Sequence, residues 1–316
     1  MNAQTGCRCC GSEKTVEQDR IDSPGRAGTI LKCPDCEALS FFPSGCNAEY
    51  DVSYYGKGDA RVTGPGALIR NACTTARSKM VRSIFGETGH CLDIGCGDGA
   101  FLQELRNKGW TVTGFELPGV AFERSRRKLG DCVHCGNDFS PMASAGSLDL
   151  ITLWQVFEHQ ENPQEVLRKC FALLREGGGL VIGVPNPDSW QAIFGRGHWL
   201  HWDPPWHMQL MNPTALSRML ENAGFERLAI RFPWFEFGPI GWIQTFLNRL
   251  GLQRDAFFRE LCLNDKTPIS TWITAIALAA PACILSWMEA FASRSATFEV
   301  ICRKRGKGKS TEERLS

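Results

Sequence analysis

Residues 91–100 read CLDIGCGDGA, an apolar strand-like run that ends in three glycines two residues apart. Gly95, Gly97 and Gly99 are flanked by Asp93 and Asp98, with no Lys or Arg among them. Glycines at a strand end let a ligand approach the backbone, because no Cβ intervenes and left-handed φ values are open. Acids on both sides repel a dianionic pyrophosphate and tolerate a cation. Glu116 closes the next apolar run, TVTGFE, about 21 residues after Gly95, where a carboxylate on a neighbouring strand tip can accept two ribose hydroxyls. A second set of reactive residues is the cysteines, fifteen in all. Cys7 with Cys10 and Cys33 with Cys36 each read C-x2-C, about 22 residues apart and in turn-forming company, the spacing of a four-thiolate zinc site. Cys9 is an alternative donor to Cys7 or Cys10.

Acid–base candidates lie further along. FEHQ places Glu158 beside His159, and a neutral imidazole oriented by a carboxylate suits deprotonation of a hydroxyl near neutral pH. GRGHWLHWDPPWHMQ adds His198, His201, Asp203 and His207. Trp190, Phe194, Trp199, Trp202 and Trp206 crowd the same region, and such rings suit stacking on a sugar, aromatic or lipid acceptor or packing as a lid.

These residues need a scaffold, and 316 residues with 43% hydrophobic content suffice for one main domain with a small accessory module. The formal charge of +1 gives no global pull toward nucleic acid or an anionic membrane. Residues 1–60 carry six basic and nine acidic side chains, the wrong balance for tracking phosphates. MNAQTGCRCC lacks the basic-then-apolar pattern of an export signal, so a cytoplasmic location with reduced thiols is expected.

From residue 67 strands and helices alternate. A helix over 67–85 is followed by strand CLDIG, a helix to Gly109, strand TVTGFE, a helix to Gly130 and a short strand at 132–134. DLITLW, GLVIGVP and RLAIRF are strands separated by helices that start at Pro163 and Pro213. Asn162-Pro163 and Asn212-Pro213 each read as an N-cap followed by proline at the first helical position, with Glu165 completing a capping box. Regular βα alternation predicts an α/β, doubly wound, mostly parallel sheet, with ligands at the carboxyl ends of its strands.

LDIGCGDGAFLQELRNKGWTVTGFE and SLDLITLWQVFEHQENPQEVLRKCFALLREGGGLVIGVPNP resemble the class I S-adenosylmethionine-dependent methyltransferases over residues 88–232. CRCCG, LKCPDC and EYDVSYYG are similar to the zinc-ribbon extension of a bacterial subgroup associated with glycan, polysaccharide or other small-molecule pathways. The resemblance implies a seven-stranded sheet and an S-adenosylmethionine site. Asp93, Gly95, Cys96, Gly97 and Gly99 would surround the methionine part and Glu116 with Leu117 the ribose. Asp138 and Phe139 would lie at the adenine, and Trp154 and Gln155 would face the reacting methyl. Glu158, His159 and His207 are the catalytic candidates it leaves. The subgroup commonly has arginine where this chain has Trp206, which removes an anion-binding role for that stretch.

ISTWITAIALAAPACILSWM, residues 269–288, carries no charge. It meets the length of a membrane span, but the resemblance implies that RLAIRF and TFEVICRK on either side pair as a hairpin. Pro281 predicts two short helices on the core or in one leaflet. The expected organisation is a zinc ribbon at 1–50, a core at 60–233, a helical insertion at 234–296, a last core strand at 297–304 and a basic tail at 305–316. The expected activity is methyl transfer from S-adenosylmethionine, with a structural zinc ion, to a small-molecule, glycan or lipid-linked acceptor, most simply at oxygen. No nucleic-acid partner is expected, and peripheral contact at the inner membrane face is. The alternatives are an RNA methyltransferase that docks through the ribbon, a regulatory protein that binds the cofactor without turnover and, more remotely, a nicotinamide oxidoreductase.

Overall fold

The computed structural model describes residues 6–21, 27–43, 64–203, 206–252, 255–263 and 266–306. The strands are β1 (Val16–Ile21), β2 (Gly28–Lys32), β3 (Leu39–Pro43), β4 (His90–Ile94), β5 (Thr111–Glu116), β6 (Val133–Cys135), β7 (Leu148–Trp154), β8 (Leu174–Pro185), β9 (Gln209–Leu210), β10 (Phe225–Arg231) and β11 (Thr297–Lys304). The α-helices are α1 (Gly64–Phe85), α2 (Ala100–Asn107), α3 (Val120–Leu129), α4 (Pro163–Leu173), α5 (Trp190–Gly195), α6 (Pro213–Asn222), α7 (Gly238–Arg249), α8 (Ala256–Leu263) and α9 (Ile269–Phe291).

Near-continuous apolar runs make the central strands, which must be covered on both faces. β4, β7 and β8 lie mid-sheet, and Leu92, Leu150, Ile151, Leu153, Leu180 and Ile182 are fully buried. The seven-stranded order is β10-β11-β8-β7-β4-β5-β6. β8, β7, β4, β5 and β6 run parallel, and β11 is antiparallel to both β8 and β10. This is the expected class I sheet, with the expected hairpin at its edge. The asparagine caps form as read: Asn162 accepts from Glu165 N at 3.1 Å and Asn212 from Ala215 N at 2.8 Å, each worth about 1 kcal/mol. The Glu165 carboxylate lies 3.2 Å from Lys169 Nζ, an ion pair one turn along its helix.

The ribbon is less separate than the expected boundary at residue 50 suggests. β1, β2 and β3 form an antiparallel meander, and β9, from the core chain, adds a fourth strand through Leu39 opposite Leu210 and Ser40 opposite Gln209. Ile30, Leu39 and Phe41 bury one face against Trp199, Trp202, Ala192 and Leu210. These tryptophans are therefore the core of the ribbon junction, which replaces an acceptor-stacking role for Trp199 and Trp202. Cys46, the EYDVSYYG stretch and residues 307–316 of the basic tail lie outside the described residues.

α7, α8 and α9 make a helical layer that also receives Trp190 and Phe194. α9 is one continuous helix of 23 residues with Pro281 inside it, not two short ones. Pro281 and Ala277, whose carbonyl loses its intrahelical donor, are both exposed, so water can serve that carbonyl. The inner face of α9 carries Thr271, Ala275, Ala282, Ser286 and Glu289. Buried Glu289 accepts from Gln191 N and Trp242 Nε1, both at 2.9 Å, and burial pushes its pKa up to about 7. The outer face is apolar, with Ile269, Ile273, Ile276, Ile284, Trp287 and Phe291 all exposed.

Candidate functional site

The glycine loop begins where β4 ends. Gly95 N and Cys96 N both donate to Phe115 O, at 2.7 and 3.2 Å, which ties the loop to the tip of β5. All three glycines have positive φ, +70° at Gly95, +57° at Gly97 and +75° at Gly99. A Cβ on Gly95 would strike Val156, and one on Gly99 would lie 2.8 Å from Leu129. Gly97 differs, because among the described residues nothing lies within 4 Å of the position its Cβ would take. Its amide donates to Glu116 Oε2 at 2.6 Å, while Leu117 N donates to Glu116 Oε1 at 2.9 Å. The loop thus presents an open backbone face beside a buried carboxylate. Burial raises the Glu116 pKa, opposed by these two amides.

Asp93 is 2% exposed and accepts from Thr152 Oγ1 at 2.6 Å. Desolvation pushes its pKa up to about 7 against that hydrogen bond and the nearby Arg77. Asp98 corrects the expectation of a loop bare of basic groups, since Arg70 and Lys128 meet its Oδ2 at 2.6 and 2.7 Å. Burial works to raise its pKa, but Lys128 and Arg70 hold it below the usual range.

The remaining cofactor-side residues divide. Cys96 is buried against Gly114, and Leu117 is exposed at the strand tip. Phe139 is buried edge-to-face on Phe115, with ring centroids 6.1 Å apart. Asp138 caps its own turn: Oδ1 accepts from Ser140 N, Ser140 Oγ and Lys169 Nζ, and Ser140 and Lys169 hold its pKa at about 2. Trp154 is built into the wall, 8% exposed, packed on Phe101 and under the Arg77 guanidinium 4.2 Å above its ring. Gln155 holds a left-handed φ of +55°, rare for its type and typical of a constrained site, with its N donating to Gly183 O.

One turn past the tip of β7, Glu158, His159 and His207 converge, so the sequence's three catalytic candidates are brought together. One ligand-type atom from each lies within 4.8 Å of the others, and the two imidazole centroids are 4.7 Å apart. His159 Nδ1 is 2.9 Å from Trp206 O and His207 Nδ1 is 2.6 Å from His201 O. A carbonyl only accepts, so each Nδ1 carries a proton. Desolvation, with His207 nearby, pushes the His159 pKa down to about 3, so the ring is neutral across the physiological range. Glu158 is 1% exposed, neither of its carboxyl oxygens has a hydrogen-bond partner among the described residues, and burial pushes its pKa up to about 8. His201 supports the cluster through its backbone. Its ring packs between Trp199 and Phe237, with Nε2 buried and unpartnered.

The ribbon holds the same segment. Cys7, Cys10, Cys33 and Cys36 bring their sulfurs within 4.8 Å of one another, with Cys7 to Cys36 at 3.5 Å and Cys10 to Cys33 at 3.6 Å. Four thiolates around one tetrahedral zinc sit about 3.8 Å apart, so the donor set fits. Cys9 lies beside Cys7 but outside this four-sulfur set, and its thiol donates to Gln209 Oε1 at 3.6 Å. Gln209 Nε2 in turn donates to Gln160 O at 2.9 Å, Met208 N to Glu158 O at 3.1 Å, and Phe41 N to Met208 O at 2.9 Å. Ribbon and histidine cluster share residues 208–209. Sequence reasoning missed Gln209, whose partners are about 50 residues away or more, and Arg77, which pairs with Glu236 and Glu299 under the sheet edge.

A family model described as a methyltransferase domain matches residues 69–230, just over half of the chain. A probable S-adenosylmethionine-dependent methyltransferase of Mycolicibacterium smegmatis is 31% identical over 137 residues, covering 43% of this chain and 51% of that protein. A ubiquinone biosynthesis O-methyltransferase of Idiomarina loihiensis is 28% identical over 155 residues, 44% of this chain and 62% of that one. The chain thus spans between half and two thirds of the length of these curated relatives. Among solved structures, the [4+2]-cyclase SpnF superposes with a TM-score of 0.51 at 18% identity, over 83% of this chain and 90% of that one, a likeness of fold. The sheet order, the glycine loop and the family match agree, and the chain belongs to the methyltransferase-domain family.

Proposed function

We propose that this protein is an S-adenosylmethionine-dependent methyltransferase acting on a hydroxyl oxygen of a small-molecule, sugar or lipid-linked acceptor. The observation that carries the reading is the open face at Gly97 set against the doubly tethered Glu116 carboxylate. When bound, S-adenosylmethionine supplies a methyl carbon that an acceptor lone pair attacks as the C–S electron pair returns to sulfur. In this reading Asp93, Gly95, Cys96, Gly97 and Gly99 hold the methionine part, and Glu116 and Leu117 the ribose. Phe139 packs beneath the adenine side, and Asp138 fixes the turn that presents it. Trp154 and Gln155 close the wall toward the methyl.

On the acceptor side, Glu158, His159 and His207 make the hydroxyl nucleophilic. The imidazole of His159, kept neutral by burial, is the proton acceptor for an incoming hydroxyl, with Glu158 and His207 grouped around it. Relatives named as O-methyltransferases support oxygen as the acceptor atom. Cys7, Cys10, Cys33 and Cys36 hold a structural zinc ion. The uncharged, exposed outer face of α9 supports peripheral contact with a membrane surface, where lipid-linked acceptors are found, and in this reading the protein is cytoplasmic.

Fold does not fix chemistry, as the cyclase neighbour illustrates. The test is calorimetry with S-adenosylmethionine, its thioether product and NADH, followed by mass spectrometry of acceptors incubated with labelled methyl donor. Micromolar binding of the first two with label transfer is expected. Binding without transfer would leave a regulatory protein, and NADH binding alone would overturn the assignment.

A further inference from the structure

We propose that Glu158, His159 and His207 form a site for one divalent first-row transition-metal ion, separate from the four-cysteine cluster. The inference rests on the reading that this cluster faces the acceptor, and says how it activates the hydroxyl.

Glu158 carries the argument. A carboxyl group 1% exposed with neither oxygen hydrogen-bonded among the described residues is an anomaly, because buried polar groups are nearly always paired. A cation is the partner that removes it. The two imidazoles are prepared in the same sense. Metal-ligating histidines donate their other ring nitrogen to a carbonyl or carboxylate, which fixes the tautomer and the ring. His159 Nδ1 against Trp206 O and His207 Nδ1 against His201 O are two such arrangements, and each fixes its ring in place. Met208 N to Glu158 O, at 3.1 Å, joins the segments that contribute the three groups.

Ligand atoms about 2.1 Å from an ion lie roughly 3 to 4 Å from each other, so the cluster has only to contract by small side-chain rotations from its present spread. Two imidazoles and one carboxylate select Zn2+, Fe2+ or Mn2+ over Ca2+ or Mg2+ and leave coordination positions open. An acceptor hydroxyl that takes an open position becomes more acidic. Its proton goes to solvent, and the oxygen lone pair then forms the O–C bond as the C–S pair leaves with sulfur.

The experiment uses the full chain, stripped with chelator and reloaded. Mn2+ disfavours thiolates, so titration followed by the loss of the free-ion paramagnetic resonance signal reports this site and not the ribbon. One Mn2+ per wild-type chain is expected, with affinity at least tenfold weaker in Glu158→Gln and in His207→Ala. Metal analysis after zinc loading should give two ions per wild-type chain, and one in each of these variants and in Cys33→Ser. Glu158→Gln keeps the shape of the side chain, and thermal melts confirm that each variant is folded. No Mn2+ uptake, or equal uptake in wild type and both variants, overturns the site. If the metal is absent and the variants still lose turnover with cofactor affinity intact, the cluster acts as a proton acceptor and the acceptor-side reading survives. Full turnover in both variants removes that reading as well.

Discussion

The two ends of the site are built differently. The cofactor end comes from one stretch of chain: β4, its glycine loop, α2 and β5 supply the open face and Glu116, and every bond among them joins residues within about 20 positions. The acceptor end is assembled from the turn at 157–160, the segment at 196–210 and the ribbon, whose contacts span about 50 to 200 positions. The first is a strand-tip motif that any sheet of this order can carry. The second depends on long-range docking, so damage far from the chemistry should reach it and spare the cofactor end.

The strongest way to break this contrast is at Gly97. Gly97→Arg fills the open face and imposes a side chain on a residue with φ of +57°, so cofactor affinity by calorimetry should fall more than about 100-fold with zinc content unchanged. Normal affinity there would move the cofactor elsewhere. The converse test uses Gln209→Ala, which frees Cys9 from residues 157–160. Turnover should drop roughly tenfold, the cost of about 1.4 kcal/mol in alignment, with cofactor affinity within about twofold of wild type. Equal loss of both would mean that the two ends are one cooperative unit.

The pH dependence of binding sharpens the same point. Asp93, raised to about 7 by burial, is protonated below that pH and a carboxylate above it. A cationic sulfonium and ammonium favour the carboxylate, so affinity should climb toward neutral pH, by up to about tenfold per unit, and level off above 7. Asp93→Asn should flatten the profile. Without ligand the sign reverses. A carboxyl whose folded pKa is raised stabilises the fold at acid pH and loses that contribution as pH rises through 7. The smallest effect on the fold is expected at α9. Ile273→Lys with Trp287→Lys should lower flotation with anionic liposomes several-fold and shift Tm by less than about 2 °C, since both side chains are exposed. Wild-type protein that stays unbound would end the membrane reading.

What was legible in the sequence follows the same division. The glycine loop, Glu116 and the two Asn-Pro caps obey local rules and could be read directly, whereas the pairing of β10 with β11 across three intervening helices was legible only through the family resemblance. The four zinc-type cysteines were legible by spacing, but the exclusion of Cys9 needed Gln209, a partner 200 positions away. Trp199 and Trp202 stayed between acceptor stacking and lid packing because composition does not say which surface covers them, and the ribbon does. Asp98 looked uncompensated because Arg70 and Lys128 reach it from helices on either side. α9 passes through Pro281 because the carbonyl it orphans faces outward, a fact about orientation rather than sequence.

β11 occupies the second position of the sheet, wedged between β10 and β8, yet follows the whole excursion through α7, α8 and α9. During synthesis the flank of β8 stays uncapped, a sticky ladder of free amides and carbonyls, until residue 304 has left the ribosome. An oily α9 emerges ahead of that closing segment, so a nascent chain could settle on lipid before its sheet is sealed, and the order of birth would then decide where the enzyme matures.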